Sequence, residues 1–265
     1  MKLTISLILI LLISSQYSFA VVKRHDVPAK NYKVAKIPEY LVDMPHEGHG
    51  ALIAPKWIVT VAHNIFYDYT GKNIKIGNKD YKISKVIIHS GYTKPDESLF
   101  KGDSKPLMNF FKKRDDIALI KLSSSVDDIT PIKLYKDTDE QGKIITVYGR
   151  GTTGNGLIGE VAETKQLRIM NLFQNVIDES HGNWLSFKFD SPSNALDLEG
   201  MHGSGDSGGS SVITKNNRLY LVGLSSWQYW SGDLSLFQGG LYETKAYQVR
   251  ISSYSKWIHS TIISN

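Results

Sequence analysis

Gly203-Ser204-Gly205-Asp206-Ser207-Gly208-Gly209-Ser210 is the stretch from which the rest of the chain is read. Four glycines in eight residues make a poor helix and a poor core, because glycine loses the most backbone freedom on folding. What they allow is unusual backbone angles and close approach of other atoms. A serine in such a loop is exposed and surrounded by amide N–H groups. That suits a nucleophile: Ser207 attacks, and the amides of Gly205 and Ser207 face the oxyanion that forms. Read alone, the same stretch is also a plain Gly-Ser turn.

Two segments upstream decide between these readings. Trp57-Ile58-Val59-Thr60-Val61 is rich in strand formers and runs into Ala62-His63-Asn64. His63 is a candidate general base, since imidazole takes and returns a proton near neutral pH. Further on, Asp115-Asp116 precedes Ile117-Ala118-Leu119-Ile120, a second strand. Side chains alternate along a strand, so only one of the two aspartates points inward.

Ala-His, Asp-Ile-Ala-Leu and Gly-Asp-Ser-Gly-Gly, in that order, resemble the trypsin/chymotrypsin-like serine peptidases. The resemblance covers nearly everything after residue 20. It implies an all-β fold: two six-stranded antiparallel β-barrels, residues 21–136 and 137–265, with a C-terminal α-helix. It implies a triad of His63, Asp116 and Ser207, with Asp116 orienting His63, although an offset to Asp115 stays open. It places Ser226 beside the triad aspartate and Trp227 on the substrate pocket. Met201 falls at the base of the primary pocket, with His202 beside it and Gln228 at its entrance. A basic preference needs a carboxylate at the base, and Met201 supplies none. An uncharged or apolar substrate side chain is therefore expected, with a glutamate preference through His202 as the alternative. Glu243 reaches the pocket only in one alignment of 239–247. A secreted binding protein that keeps the fold without turnover is the alternative of another class.

Residues 1–20 hold a lysine, an apolar run from Leu3 to Ile13 and Ser18-Phe19-Ala20. This reads as a signal peptide cut after Ala20, with an uncleaved anchor as the rival. A secreted or periplasmic protein is expected. Cleavage would start the chain at Val21-Val22. In the resembling family a new β-branched N-terminus inserts and pairs with the aspartate before the nucleophile, here Asp206. A cut after Lys23 or Arg24, leaving a short propeptide, is the competing arrangement.

The sequence contains no cysteine, which excludes disulfides and a thiol nucleophile, departs from animal members of the family and suggests a bacterial source. The net charge of +5 is dispersed, so nucleic-acid binding is not expected. His46-Glu47-Gly48-His49 lacks the spacing of a zinc motif, and neither metal nor cofactor is expected. The expected partner is a protein or peptide substrate, met by a monomer free of the membrane once the leader is cut. Residues 93–114 read as a long polar loop. Ile251, Tyr254, Trp257/Ile258 and Ile262 keep helical spacing, with Ser252 or Ser253 as the N-cap.

Overall fold

The computed structural model describes residues 21–161 and 169–265. The expected signal peptide lies outside them. In chain order the elements are β1 (Val21–Lys23), β2 (Leu41–Asp43), β3 (His49–Ala54), β4 (Trp57–Thr60), β5 (Asn73–Ile76), β6 (Lys79–Ile88), α1 (Lys105–Lys113), β7 (Ala118–Leu122) and β8 (Lys133–Leu134). Then come β9 (Ile144–Gly149), β10 (Thr153–Asn155), β11 (Gly159–Val161), β12 (Asn171–Val176), β13 (Glu179–His181), β14 (Trp184–Lys188), β15 (Gly200–Met201), β16 (Ser210–Lys215), β17 (Arg218–Gln228), β18 (Lys245–Arg250) and α2 (Ile251–Ser264).

The architecture is mostly β: two antiparallel barrel-like sheets, one nearly closed and one a half-barrel, with a C-terminal helix. The first sheet runs β2-β3-β4-β7-β6-β5. The second, of eight strands, runs β12-β9-β16-β17-β18-β14-β13, with β8 alongside β17. Strict alternation explains why these segments are strands. In β9 residues 145, 147 and 149 are buried, and in β12 so are 171, 173 and 175. Asn216 and Asn217 both have left-handed φ, +50° and +58°, and close the β16–β17 hairpin as a type I′ turn.

A small third sheet, β11-β10-β1-β15, holds the start of the described chain. β1 lies parallel to β10 (Val21 opposite Thr153) and antiparallel to β15 (Val22 opposite Met201). Val21 and Val22 are fully buried. So β1 and β8, which both precede residue 137, pair with strands of the second half.

Two expectations are corrected. Residues 93–114 are not one polar loop: α1 occupies 105–113, with Pro106 in its first turn and Leu107 and Met108 buried. Proline and the charges hid a short amphipathic helix. In α2 the helix begins at Ile251, with Arg250 rather than a serine at its N-cap and no side-chain cap. The Ser252 hydroxyl donates instead to Glu140 (2.5 Å). Its buried positions, Ile251, Tyr254, Ile258 and Thr261, give one apolar face as expected.

Glu140 is fully buried and grips Arg250 with both oxygens, at 2.9 Å from Nε and 2.7 Å from Nη2. The pair ties the link between the two halves to the start of α2. Removing one partner of a buried pair strands the other charge. Glu140→Ala is therefore expected to cost about 3–5 kcal/mol, read as a lower midpoint in urea unfolding with an unchanged slope.

Candidate active site

His63 sits in a short 3₁₀ turn, Ala62–Asn64, where β4 ends. Asp116 lies two residues before β7, the strand paired with β4. The pairing brings the two together: the His63 amide donates to Asp116 Oδ1 (2.9 Å) and Nδ1 lies 2.6 Å from Oδ2. A carboxylate only accepts, so Nδ1 carries the proton. Nε2 is then the acceptor for the Ser207 hydroxyl at 2.7 Å. Asp115 turns the other way, to Tyr254 Oη (2.7 Å) and Asn183 Nδ2 (2.6 Å). Of the two aspartates only Asp116 faces His63.

Asp116 is fully buried, and burial alone would raise its carboxyl. His63, Arg114 and Ser226 outweigh burial and hold it below the usual carboxylate range. The Ser226 hydroxyl reaches Oδ2 at 2.6 Å because of a bulge: Ser225 pairs with Gln248 and Trp227 with Tyr247, leaving Ser226 unpaired. A bulge re-aims one side chain out of its sheet. Arg114 Nη2 is 3.2 Å from the same oxygen, its guanidinium 4.4 Å over the Phe111 ring. Arg114→Met is expected to lower stability by about 2–3 kcal/mol, measured by urea unfolding at neutral pH.

The nucleophile loop is pinned by its own backbone. The amides of residues 203, 204, 206, 208 and 209 all donate, to Asp206 Oδ2, Glu160 Oε2, Gly203 O, Ser225 O and Asp206 O. Among the described residues the amides of Gly205 and Ser207 make no hydrogen bond. Gly205 takes φ +85° and Gly208 +76°. A Cβ on Gly208 would lie 2.0 Å from the His49 carbonyl, so only glycine fits. The Ser207 carbonyl accepts from the His49 amide (2.7 Å) and from Asn64 Nδ2 (2.9 Å), which cross-links the loop to the turn carrying His63.

Asp206 is buried between the amides of Gly151 (2.6 Å) and Gly203 (2.9 Å). Burial raises its carboxyl to about 6, against the pull of His49 and the two amides. Val21 lies in the neighbouring strand, opposite Thr153, with φ +62°.

Around the expected primary pocket, Met201 is buried in β15 among core side chains. His202 is buried, its Nδ1 3.1 Å from Gln248 Nε2. Gln228 bridges three segments. Its amide nitrogen donates to Glu160 Oε1 (2.8 Å) and His202 O (2.8 Å), and its oxygen accepts from the Gly240 amide (2.9 Å). Trp227 lines a cleft of about 430 Å³ beside His63, with Ile65, Tyr92 and Phe111. Glu243 is on the surface with Lys188 (2.7 Å), away from the pocket.

Sequence reasoning missed Glu160. Its carboxylate accepts from Thr152 Oγ1, the Ser204 amide and Gln228 Nε2, joining two loops to the end of β17. No motif flags it, because its partners are scattered over the second half. It missed Arg114 as well, which falls at the end of the expected polar loop 93–114 and carries no motif.

The family model described as Trypsin matches residues 33–258. The chain is 27% identical over 225 residues to a trypsin of Phaedon cochleariae, covering 79% of this chain and 76% of that protein. It is 29% identical over 248 residues to complement C1r-B subcomponent of Mus musculus and 25% over 239 to vitamin K-dependent protein C of Rattus norvegicus. Each match covers 80% of this chain, and spans 30% and 45% of those longer proteins.

Proposed function

Because the chain belongs to the trypsin family of serine peptidases, we propose that it is an endopeptidase that cleaves protein or peptide substrates through Ser207, His63 and Asp116. Ser207 Oγ attacks the substrate carbonyl carbon as His63 Nε2 takes the hydroxyl proton. The carbonyl oxygen becomes an oxyanion held by the amides of Gly205 and Ser207. The carbon–nitrogen bond breaks, His63 passes its proton to the leaving amine, and an acyl-Ser207 ester remains. Water then attacks the ester with His63 again as base, freeing the acid and restoring Ser207. Asp116 keeps the Nδ1 proton in place and stabilises the imidazolium.

One observation carries this reading: the unbroken hydrogen-bonded line from Ser207 Oγ through His63 to Asp116, next to the two unengaged amides. The test is a fluorophosphonate probe read by intact mass. A single adduct on the native protein, absent in Ser207→Ala, is expected. No adduct on a folded, correctly processed chain would favour a binding protein instead, a reading that fits Gln228 bridging Glu160, His202 and Gly240 where the pocket entrance is expected.

The same reading includes export and activation in one cut. A signal peptidase cleaves after Ala20 and delivers the monomer outside the cytoplasm, to the periplasm or the medium. The new ammonium of Val21 then partners Asp206. Left-handed φ is strained in a β-branched residue because of the preceding carbonyl. Val21 has that conformation, and cutting its leading peptide bond removes the carbonyl that strains it.

A further inference from the structure

Arg114 caps the end of α1 and stands two residues before Asp116, and its contacts fix where its charge goes. As the C-cap it leaves the helix with extended backbone. The helix before it is clamped to the second half of the chain. Trp184 Nε1 donates to the Lys112 carbonyl (2.9 Å), and the Phe111 ring lies 5.6 Å from that of Trp227. The guanidinium is buried against the rings of Phe111 (4.4 Å) and Tyr92 (5.5 Å), with Nη2 3.2 Å from Asp116 Oδ2. Its Nε is buried without a hydrogen-bond partner, and among the described residues Asp116 is its one ion-pair partner. So a buried cation is answered by the same carboxylate that orients His63.

We propose that Arg114 is a positioning residue of the triad that sets the acid limit of activity: it takes up part of the Asp116 charge, so that the line from Ser207 through His63 keeps working at lower pH than it would beside an unshared carboxylate. This rests on the peptidase reading above.

Net charge decides the direction. Asp116 and Arg114 cancel while His63 is neutral, and a proton on the ring leaves the three with a net positive charge. Without Arg114 the same proton would cancel a lone negative charge, which is easier in a site that water screens little. Oδ2 already accepts from His63 Nδ1 and Ser226 Oγ, both at 2.6 Å. The longer Arg114 contact therefore acts through its charge more than through a hydrogen bond. The other titratable groups around the cluster do not replace it. Burial pushes the Tyr92 hydroxyl up to about 12 and that of Tyr254 up as well, so both are neutral. His202 is pushed down to about 4 and is neutral too. Asp115 is engaged with Tyr254, Asn183 and His89. Above the acid limit, losing Arg114 makes His63 a readier proton acceptor and holds Asp116 less firmly. These effects oppose each other, and the plateau should change little.

The test is the rate of labelling by a fluorophosphonate, which needs Ser207 and a neutral His63 but no knowledge of the substrate. It is followed from about pH 4.5 to about pH 8.5 on protein starting at Val21. In Arg114→Met the acid limb is expected about one pH unit higher than in wild type, a loss of about tenfold at the acid end, with the plateau within about threefold. Arg114→Gln should show the same shift, and stands in if the first variant does not fold. Arg114→Lys keeps the charge and should bring the limb at least halfway back. Asp206 and Glu199, raised by burial to about 6 and about 7, titrate in the same range in all these proteins, so a difference between limbs belongs to Arg114. Wild type that labels, with methionine and glutamine variants whose limb stays in place, overturns the proposal whatever their plateau, and makes Arg114 a packing residue. A limb that Arg114→Lys leaves where Arg114→Met puts it overturns it too. Wild type that takes no label at any pH sinks the peptidase reading itself.

Discussion

Ser207→Ala should lower kcat by about 10⁶ while the protein stays folded and still binds peptide. The size follows from how the parts act as a unit. Without Oγ there is no acyl-enzyme, and His63 has no proton to take; the oxyanion amides and bound geometry alone leave roughly 10³-fold over water. The fold should survive because the loop is held by backbone bonds, to His49, Ser225 and Asp206, none of which involves Oγ. His63→Ala should cost about as much alone, and the double variant little more. Steady-state kinetics on a common peptide, with urea unfolding alongside, checks both parts. A double variant that loses the product of the single losses would mean that the two residues do not act together.

An extension before Val21 should make stability fall with pH in a way that the Val21-started chain does not. Asp206 is fully buried, with a carboxyl raised to about 6 against 3.8 in the open. A carboxyl raised by folding leaves stability intact below its unfolded value, and the loss grows as pH climbs through the folded one. With no ammonium beside it, Asp206 therefore costs the fold about 3 kcal/mol by pH 7, accrued between about pH 4 and 6. The Val21 ammonium offsets this until it loses its own proton, at about pH 8 or above. Urea midpoints of the two chains should separate from pH 4 to pH 6 and then run parallel to about pH 8. Parallel midpoints across the whole range would remove Val21 as the partner of Asp206. Activity of the extended chain should fall too, because Asp206 holds the amides of Gly151 and Gly203 on either side of the nucleophile loop.

The parts of the site that lay in short local motifs were legible before any coordinates. Ala62-His63, Asp116-Ile117 and the glycine loop each owe their shape to neighbours in sequence. The strands around them alternate, and alternation is readable. What stayed hidden is long-range. Which aspartate faces His63 depends on strand register, and the aim of Ser226 on a bulge that a pattern of types does not encode. Glu160 acquires meaning only when segments far apart in sequence meet. Helix α1 was lost for a local reason, since Pro106 and flanking lysines outweigh a single apolar turn in any window average. The Arg250–Glu140 pair replaced the expected serine cap because a buried bidentate contact orients the start of α2 from outside its own sequence.

The small sheet around β1 also sets an order of events. β1 sits between β10 and β15, so the first residues of the described chain wait for partners beyond residue 150 and at residue 200. Such distant contacts form after the loops between them have closed, and local hairpins such as β16–β17 form sooner. A chain emerging from the ribosome holds His63 and Asp116 well before Gly200 and Met201 exist. The small sheet that β15 closes, next to the nucleophile loop in sequence, is thus completed near the end of folding. A protein that cuts other proteins acquires its cutting edge last, when its own loops are already closed against it.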